Sequence, residues 1–530
     1  MTAAPIIDDE LPALFAGLER TPLALCVSGG SDSMALMLLA ARWAALPSVR
    51  SAWLASTSAA VDQGGGLVAA TPSWVESTDH ALGERRRRHV VVLTVDHGLR
   101  SEAAAEAAFV AHSAGSLGLV CSVLGWAGNK PASGVQAAAR EARRNLLADE
   151  VRRESNWLAA RTGLDGMPPR QRTLVMAHQQ EDQAETFLMR LGRGSGLEGL
   201  GGMRPHDTVS RPPTAADPVS FEVGLLRPLL EVPKARLVAT LRAAGTSWIE
   251  DRSNEDDRFE RVRIRKALGT LEGLGLTAEK IALSARRLRD AEIGFVRLLD
   301  GRAPGVGSPH RIGAAFAELD MFASDFASRY TATRFLKRLL RLYGGEAKPA
   351  DYSQLEALAS LTQRPQSRAG IGKLTLGGCK IEVHGEHGRF MRVFREGAGE
   401  ELPVAPLVPG QSVDWDGGRF RLTAAPSAQA GATVQALSMQ GWANLKRAIP
   451  ALARLRLPAA AIATLPVVIR EGITVASPAL DLAIGDGEGL DEAGVGGWRA
   501  YAGGLEKGFS AVFAGSREMA GRCEPGNTPR

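Results

Sequence analysis

Four cysteines in 530 residues, Cys26, Cys121, Cys379 and Cys523, are too few and too scattered for a disulfide scaffold. No Cys-x-x-Cys pair occurs, which argues against a structural zinc site as well. Cys26 and Cys121 sit in apolar runs and read as small core residues, so a reducing, cytoplasmic compartment is expected. No run of eighteen apolar residues is present, and no membrane-spanning helix is expected. The opening MTAAPIIDDE has neither a basic segment nor a long apolar one, so no signal peptide is expected. No internal repeat is visible, and neither sign of charge dominates. The 63 Lys and Arg against 58 Asp and Glu leave a formal +5, which permits a nucleic-acid partner without demanding one. What remains is an ordinary globular composition, 45% hydrophobic and 23% charged, at a length that suits two or three domains.

From Leu23 onward, short apolar runs alternate with helical segments. Leu23–Val27, Val90–Val95, Leu119–Leu124 and Thr173–Ala177 read as buried strands. Helices are expected over Ser31–Ala45, Ser101–Leu117, from Val135 on, and over Glu181–Arg190. Such alternation implies a parallel sheet with helices on both faces. Residues 47–88, with Gly64-Gly65-Gly66 and the Arg85–Arg88 run, break the pattern and read as a surface insertion. Lys234–Ala244, an arginine-rich stretch from Arg258 to Asp300, Arg329–Leu342 and Tyr352–Leu361 are helical in register. Beyond Gly370 short β-like runs follow: Lys373–Leu376, Lys380–Val383, Phe390–Phe394, Phe420–Thr423, Val467–Arg470 and Ile473–Ala476, with Ala425–Ala432 as a linker. The fold expected is α/β with a parallel sheet over 1–250, then a helical domain over 251–365, then a β-rich domain over 366–530.

Ser28-Gly29-Gly30-Ser31-Asp32-Ser33 lies between the first strand and the first helix, at the carboxyl end of a parallel strand, where such sheets bind ligands. Glycine lets backbone N–H groups approach an anion, and the helix that follows points its positive end the same way. Ser28, Ser31 and Ser33 add hydroxyl donors. Asp32 would repel a phosphate directly and makes sense only if a divalent cation bridges them. No Lys-Ser or Lys-Thr follows the glycines, so this is not a Walker A loop. A tight turn with serine and aspartate capping a helix is the plainer alternative. The hexapeptide resembles the Ser-Gly-Gly-x-Asp-Ser signature of the pyrophosphatase-loop ATPases, which cleave ATP between the α and β phosphates.

Further stretches narrow the resemblance. Asp96-His97-Gly98-Leu99-Arg100 follows the second strand; Ala139-Arg140-Glu141-Ala142-Arg143 lies in the long helix; His178-Gln179-Gln180-Glu181-Asp182-Gln183-Ala184-Glu185-Thr186 follows the fourth strand. Arg193-Gly194-Ser195-Gly196, Arg227-Pro228-Leu229-Leu230 and Trp248-Ile249-Glu250-Asp251-Arg252-Ser253-Asn254 come later. In order and character these are similar to the tRNA(Ile)-lysidine synthases, strongly over Leu23 to Arg265. The chain departs from that family's pattern at Gln179, often histidine; at Glu181, commonly aspartate; at Arg144, frequently tyrosine; and at Val262, usually asparagine.

Each motif also has a reading of its own. Asp96 and His97 end a strand beside the loop, near a bound nucleotide, or simply cap a turn. Arg140, Arg143 and Arg144 fall on one helix face, suited to phosphates or to solvent, with Glu141 suited to an ammonium group. Glu181, Asp182, Glu185 and His178 sit where a metal, an adenylate or an amine would be held, though acidic residues there also offset a helix dipole, which would suffice for Glu181. Arg193 precedes a flexible loop. Arg258, Arg261 and Arg265 share one helical stripe that suits an RNA backbone or a solvated face.

The resemblance implies a ligase that uses ATP and Mg²⁺ to join free lysine to carbon-2 of the wobble cytidine of tRNA(Ile) with a CAU anticodon, with no protein partner and no membrane. It implies catalytic roles for Asp32, Asp182 and His178, and metal binding by Asp32 and Asp182. Nucleotide contacts would come from Ser28 to Ser33, Asp96, His97 and Arg227. Substrate contacts would come from Arg140, Glu141, Arg143, Arg193, Arg258, Arg261 and Arg265. Residues 1–250 become the catalytic domain and 251–365 a tRNA-binding one. Three other readings stand beside it: a tRNA thiolase, which generally needs a reactive cysteine pair or an iron–sulfur cluster; an amide-forming ligase, which needs ammonia or a glutamine-hydrolysing partner; and a non-catalytic nucleotide-dependent RNA-binding protein.

Overall fold

The computed structural model describes residues 3–53, 89–99, 101–127, 130, 134–162, 172–211, 221–250, 260–300, 310–323, 328–345, 350–363, 372–397, 402–454, 457–477, 479 and 509–513. Arg258, Arg100, residues 54–88 of the expected insertion, and the later motif from Asp251 on lie outside the described residues. The chain divides into two compact units, one of residues 1–213 and 221–295, the other of 214–220 and 296–530.

The first unit is built on a six-stranded sheet. Its strands are β1 (Leu23–Cys26), β2 (Val90–Asp96), β3 (Val120–Gly125), β4 (Thr173–Val175), β5 (His206–Arg211) and β6 (Phe221–Leu226), in the order β3-β2-β1-β4-β6-β5. All neighbours are parallel except β5 and β6. β1 has no exposed apolar face because both faces are covered: Leu23, Ala24 and Leu25 are fully buried, one set against each of two cores. After a short helix at Leu11–Leu14, the helices are α1 (Ser31–Ala45), α2 (Ala103–Ser116), α3 (Val135–Thr162), α4 (Gln180–Gly192), α5 (Leu197–Leu200), α6 (Lys234–Ala243), α7 (Glu260–Glu272) and α8 (Ala278–Asp300), most of which belongs to this unit. α1 is apolar nearly all round, buried from Met34 to Ala40, and packs beside α6. Within the expected 47–88 insertion, Val49 is buried and the Trp53 ring stacks on His89 at 4.5 Å.

Strand order fixes where a ligand goes. From β1 the chain moves outward through β2 and β3, then crosses to β4 on the other side of β1. The crevice between the carboxyl ends of β1 and β4 is therefore a topological switch point, the ligand position of open α/β sheets.

In the second unit three antiparallel sheets share one apolar core with several helices, among them Ser438–Ala448, which contributes Trp442 and Leu445. β7 (His310–Ile312), β8 (Phe316–Asp320), β9 (Lys373–Leu376), β10 (Cys379–His384) and β11 (Phe390–Arg395) form the order β7-β8-β11-β10-β9. β12 (Ala405–Leu407), β15 (Ala432–Ala436), β16 (Pro466–Arg470) and β17 (Ile473–Ala476) form the second sheet; β13 (Ser412–Trp415), β14 (Phe420–Ala424) and β18 (Phe509–Phe513) form the third. α9 (Arg329–Tyr343) and α10 (Tyr352–Gln363) bury Leu336, Leu340 and Leu355 in the same core as Ile381, Val393 and Trp415.

The sequence order of α/β, helical and β-rich segments is as expected, but the helices of 251–365 do not gather into a compact unit of their own. Their apolar faces belong to two different cores. Leu268 of α7 and Ala278 and Ile281 of α8 pack with Ala184 of α4, while α9 and α10 complete the core beneath the second unit's sheets.

Candidate active site

β1 ends at Cys26, and Ser28–Ser33 turns the chain into α1. Gly30 is the extended N-cap residue of α1, so the backbone amides of the first turn face the crevice. Gly29 sits at φ +91°, a left-handed conformation that side chains resist, and a Cβ there would lie 2.8 Å from Ile249 Cδ1. Ile249 also donates its backbone N–H to the Gly29 carbonyl at 2.9 Å, so the Trp248-Ile249-Glu250 stretch is the back wall of the loop. Inside the turn, Ser33 Oγ donates to the Gly30 carbonyl at 3.0 Å and accepts from Ser28 N–H at 3.2 Å.

Across the crevice, β4 leads through His178 into α4. Gln179 Oε1 accepts from the backbone N–H groups of Glu181 at 2.6 Å and Asp182 at 3.3 Å, while Asp182 Oδ2 accepts from Gln179 N–H at 3.1 Å. This reciprocal cap satisfies three amides at the start of α4. The two oxygens of Glu181 accept the Lys234 backbone N–H at 3.2 and 2.9 Å and so cap α6.

Loop and helix share one cavity of about 840 Å³, and its wall includes Ser28, Asp32, His97, Arg143, His178, Asp182, Lys234, Arg261 and Arg265. The carboxylates of Asp32 and Asp182 are electrostatically coupled across it. Burial, then the neighbouring Asp182 charge, raises the Asp32 pKa; Lys234 and hydrogen bonds from Ser31 and Gln179 act the other way. Lys234 Nζ stands 3.7 Å from Asp32 Oδ2. Burial pushes His178 down to about 4, helped by the positive charges of Arg227, Arg261 and Arg140, so its imidazole is neutral at pH 7. Its Nδ1 is buried without a hydrogen-bond partner.

Several expected contacts are placed otherwise. Arg261 and Arg265 do not form a free stripe on α7. Arg261 donates to Asp182 Oδ1 at 2.9 Å and to Glu185 Oε2 at 2.6 Å, and Arg265 donates to Glu185 Oε1 at 2.8 Å. The cause is packing: with Leu268 docked against Ala184, α7 turns this face toward the acidic side of α4. Val262, on the other side of α7, is buried. Although burial opposes it, the bond to Glu185 and the charges of Glu185, Asp182 and Asp32 raise the Arg265 pKa. Arg227 donates to the Arg204 carbonyl at 2.7 Å and to Asp207 at 3.1 Å, with its Nε buried and unpartnered. Arg193 pairs with Glu260. Asp96 Oδ1 accepts from Gly98 N–H at 2.9 Å and His97 Nδ1 from Leu99 N–H at 3.1 Å, which is the capped-turn alternative. His97 nevertheless lines the cavity, as does Arg143 of the α3 trio. Desolvation, then repulsion from Arg261, Arg143, Arg144 and Arg227, lowers the Arg140 pKa. Glu141 and Arg144 are exposed.

Two site residues, Gln179 and Lys234, draw no role from the sequence, and Glu185 reads there only as one of the carboxylates at the start of α4. Glu185 lies within a quoted motif, one helical turn from Glu181, and its burial at 1% exposure marks it as an anchor for two guanidiniums. Gln179 stands out only as a departure from a common histidine, with no role attached. Lys234 has no motif around it, and its partners Asp32 and Glu181 are distant in sequence.

A phosphate loop, the carboxylates of Asp32 and Asp182 and a neutral histidine thus line one cavity at the switch point. The PP-loop domain family matches residues 66–272. A tRNA(Ile)-lysidine synthase of Rhodopseudomonas palustris is 36% identical over 396 residues, covering 71% of this chain and 92% of that protein. The chain belongs to the tRNA(Ile)-lysidine synthase family. A tRNA(Ile)-lysidine synthase of Methylobacterium nodulans is 39% identical over 329 residues, 61% of this chain and 88% of its own. A third, from Ruegeria pomeroyi, is 32% identical over 413 residues, 77% of this chain and 78% of its own. Matches to members of this family thus extend well past the α/β sheet.

Proposed function

We propose that this chain is an ATP-dependent ligase that joins the ε-amine of free lysine to carbon-2 of the wobble cytidine of tRNA(Ile) with a CAU anticodon, releasing AMP and pyrophosphate. Reading AUA in place of AUG is the decoding consequence. The single observation that carries the reading is the shared cavity: a Ser-Gly-Gly-Ser-Asp-Ser loop at the carboxyl end of β1 faces Asp182 and a neutral His178 at the carboxyl end of β4.

In the first step the cytidine carbon-2 oxygen attacks the α-phosphorus of ATP, and the bond to the β-phosphate breaks. The amides at the start of α1 and the hydroxyls of Ser28 and Ser31 bind the departing pyrophosphate. In the second step the neutral lysine amine attacks carbon-2, a proton is lost, and AMP leaves with the oxygen. His178 suits this step because it stays uncharged beside an arriving amine, and its unpartnered Nδ1 is open to one hydrogen bond. Asp182 supplies negative charge for the ammonium form of that amine.

Among the described residues no group of three or more His, Cys, Asp or Glu could hold a metal ion by itself. Asp32 and Asp182 are two carboxylates lining one cavity, and magnesium is commonly bound by one or two carboxylates together with substrate phosphates. The residues therefore fit a magnesium ion that arrives with ATP. When bound, it offsets phosphate charge. Thiol chemistry is poorly served: Cys26 is on the cavity wall, but burial pushes its thiol up to about 12.

ATP–pyrophosphate exchange tests the order of steps. Exchange should require tRNA(Ile) bearing CAU and proceed without lysine. Exchange that needs lysine and ignores tRNA would mean an amino-acid adenylate and would overturn the reading.

A further inference from the structure

The loop Ser28–Ser33 offers an oxyanion amides, hydroxyls and a helix start, but no cation, and it carries Asp32. Cations reach it only in three dimensions. Arg261 and Arg265 are engaged by buried carboxylates: Glu185 is 1% exposed and accepts from both, and Asp182 takes a further Arg261 contact. Moving either guanidinium onto a phosphate would strand a buried charge.

Lys234 is held differently. Its backbone N–H is fixed by both oxygens of Glu181, which anchors the first turn of α6 independently of the side chain. The side chain is 44% exposed, and its ammonium faces Asp32 at 3.7 Å, a separation beyond hydrogen-bond length. Val238 and Arg242 follow at one-turn intervals on the same α6 face and line the same cavity. Lysine is a compact point charge on a flexible stem, able to travel a few ångströms without moving its helix.

We infer that Lys234 is the cation of this phosphate loop: its ammonium, held loosely beside Asp32, moves to the β- and γ-phosphates of ATP when they bind. The lysine that a Walker A loop carries next to its glycines is here delivered from α6. The inference rests on the reading that the polyphosphate of ATP occupies Ser28–Ser33. Lys234 is then a binding residue for the leaving pyrophosphate, stabilising charge that develops there as the α–β bond breaks.

Equilibrium binding of ATP and of AMP to the full-length wild-type, Lys234→Met and Lys234→Arg proteins tests it, because AMP lacks the two phosphates concerned. Lys234→Met should weaken ATP about tenfold or more, the loss of one charge-assisted bond, and leave AMP unchanged. Lys234→Arg should keep most of the ATP affinity. In tRNA-dependent exchange, Lys234→Met should raise the KM for pyrophosphate while the KM for tRNA stays fixed. Equal weakening of ATP and AMP would mark Lys234 as structural, and unchanged ATP affinity would remove it from the site; either result overturns the inference. Wild-type protein that binds neither nucleotide would instead overturn the ATP reading beneath it, a failure visible before any variant is made.

Discussion

A carboxylate inside a phosphate-binding turn is the residue whose chemistry is hardest to explain structurally. Asp32 makes a contact with Ser31 and a loose one with Lys234, and burial works against its charge. Asp32→Asn should preserve the fold and abolish tRNA-dependent ATP–pyrophosphate exchange; exchange at the wild-type rate would remove Asp32 from the mechanism. His178 gives a second test. Its native pKa of about 4 lies below the ordinary 6.5, so the unfolded chain binds a proton in that interval and the native protein does not. The stability associated with its neutral form is present above about pH 6.5 and is lost as pH falls toward 4. The imidazole resonance absent from His178→Gln should titrate near 4 in the wild type; a midpoint near 6.5 would contradict a buried neutral ring. Asp32, Asp182 and His178 could be singled out from the chain because strand ends and helix starts concentrate such groups. The partners of Arg227 could not, because Asp207 comes from an edge strand and Arg204 through its backbone.

At the scale of elements, the contact between α4 and α7 decides how the acidic half of the cavity is arranged. Glu185 is the pivot, receiving Arg261 and Arg265 together. Replacing both arginines by alanine leaves a buried, uncompensated carboxylate, and the first unit should lose about 3–5 kcal/mol of stability. Denaturant titration reads this directly, and a loss under about 1 kcal/mol would show that the clamp is incidental. Where strands are buried on both faces, as β1 and β2 are, their apolar runs made them legible. β5 was not, because HDTVSR lies at the sheet edge with one buried position and reads as a polar loop. β6 is interrupted by Gly224, whose missing side chain leaves room for Thr173 Oγ1, 3.3 Å from where a Cβ would stand. The arginine spacing on α7 was legible, but the surface it faces was not: periodicity gives a stripe, and only packing says what covers it.

Over the whole molecule, the chain gathers into two compact units where its run of segments suggested three domains. β8, before Gly370, pairs with β11, after it, through Phe316–Asp320 and Phe390–Phe394, and α9 buries Leu336 and Leu340 in the core that the later strands complete. A chain ended at Gly370 therefore breaks a sheet. Hydrogen exchange should show residues 316–320 and 332–343 protected in the full chain and fast in the truncated one, with the β1–β2 pair protected in both. Protection surviving the cut would mean that the helical segment folds without the β-rich one. Labelled lysine, ATP and unmodified tRNA(Ile) with a CAU anticodon should yield label covalently attached at the wobble nucleoside, one AMP per lysine, and none with a UAU anticodon. Label recovered on the tRNA 3′ end, or equal incorporation into both anticodons, would contradict the proposed ligation.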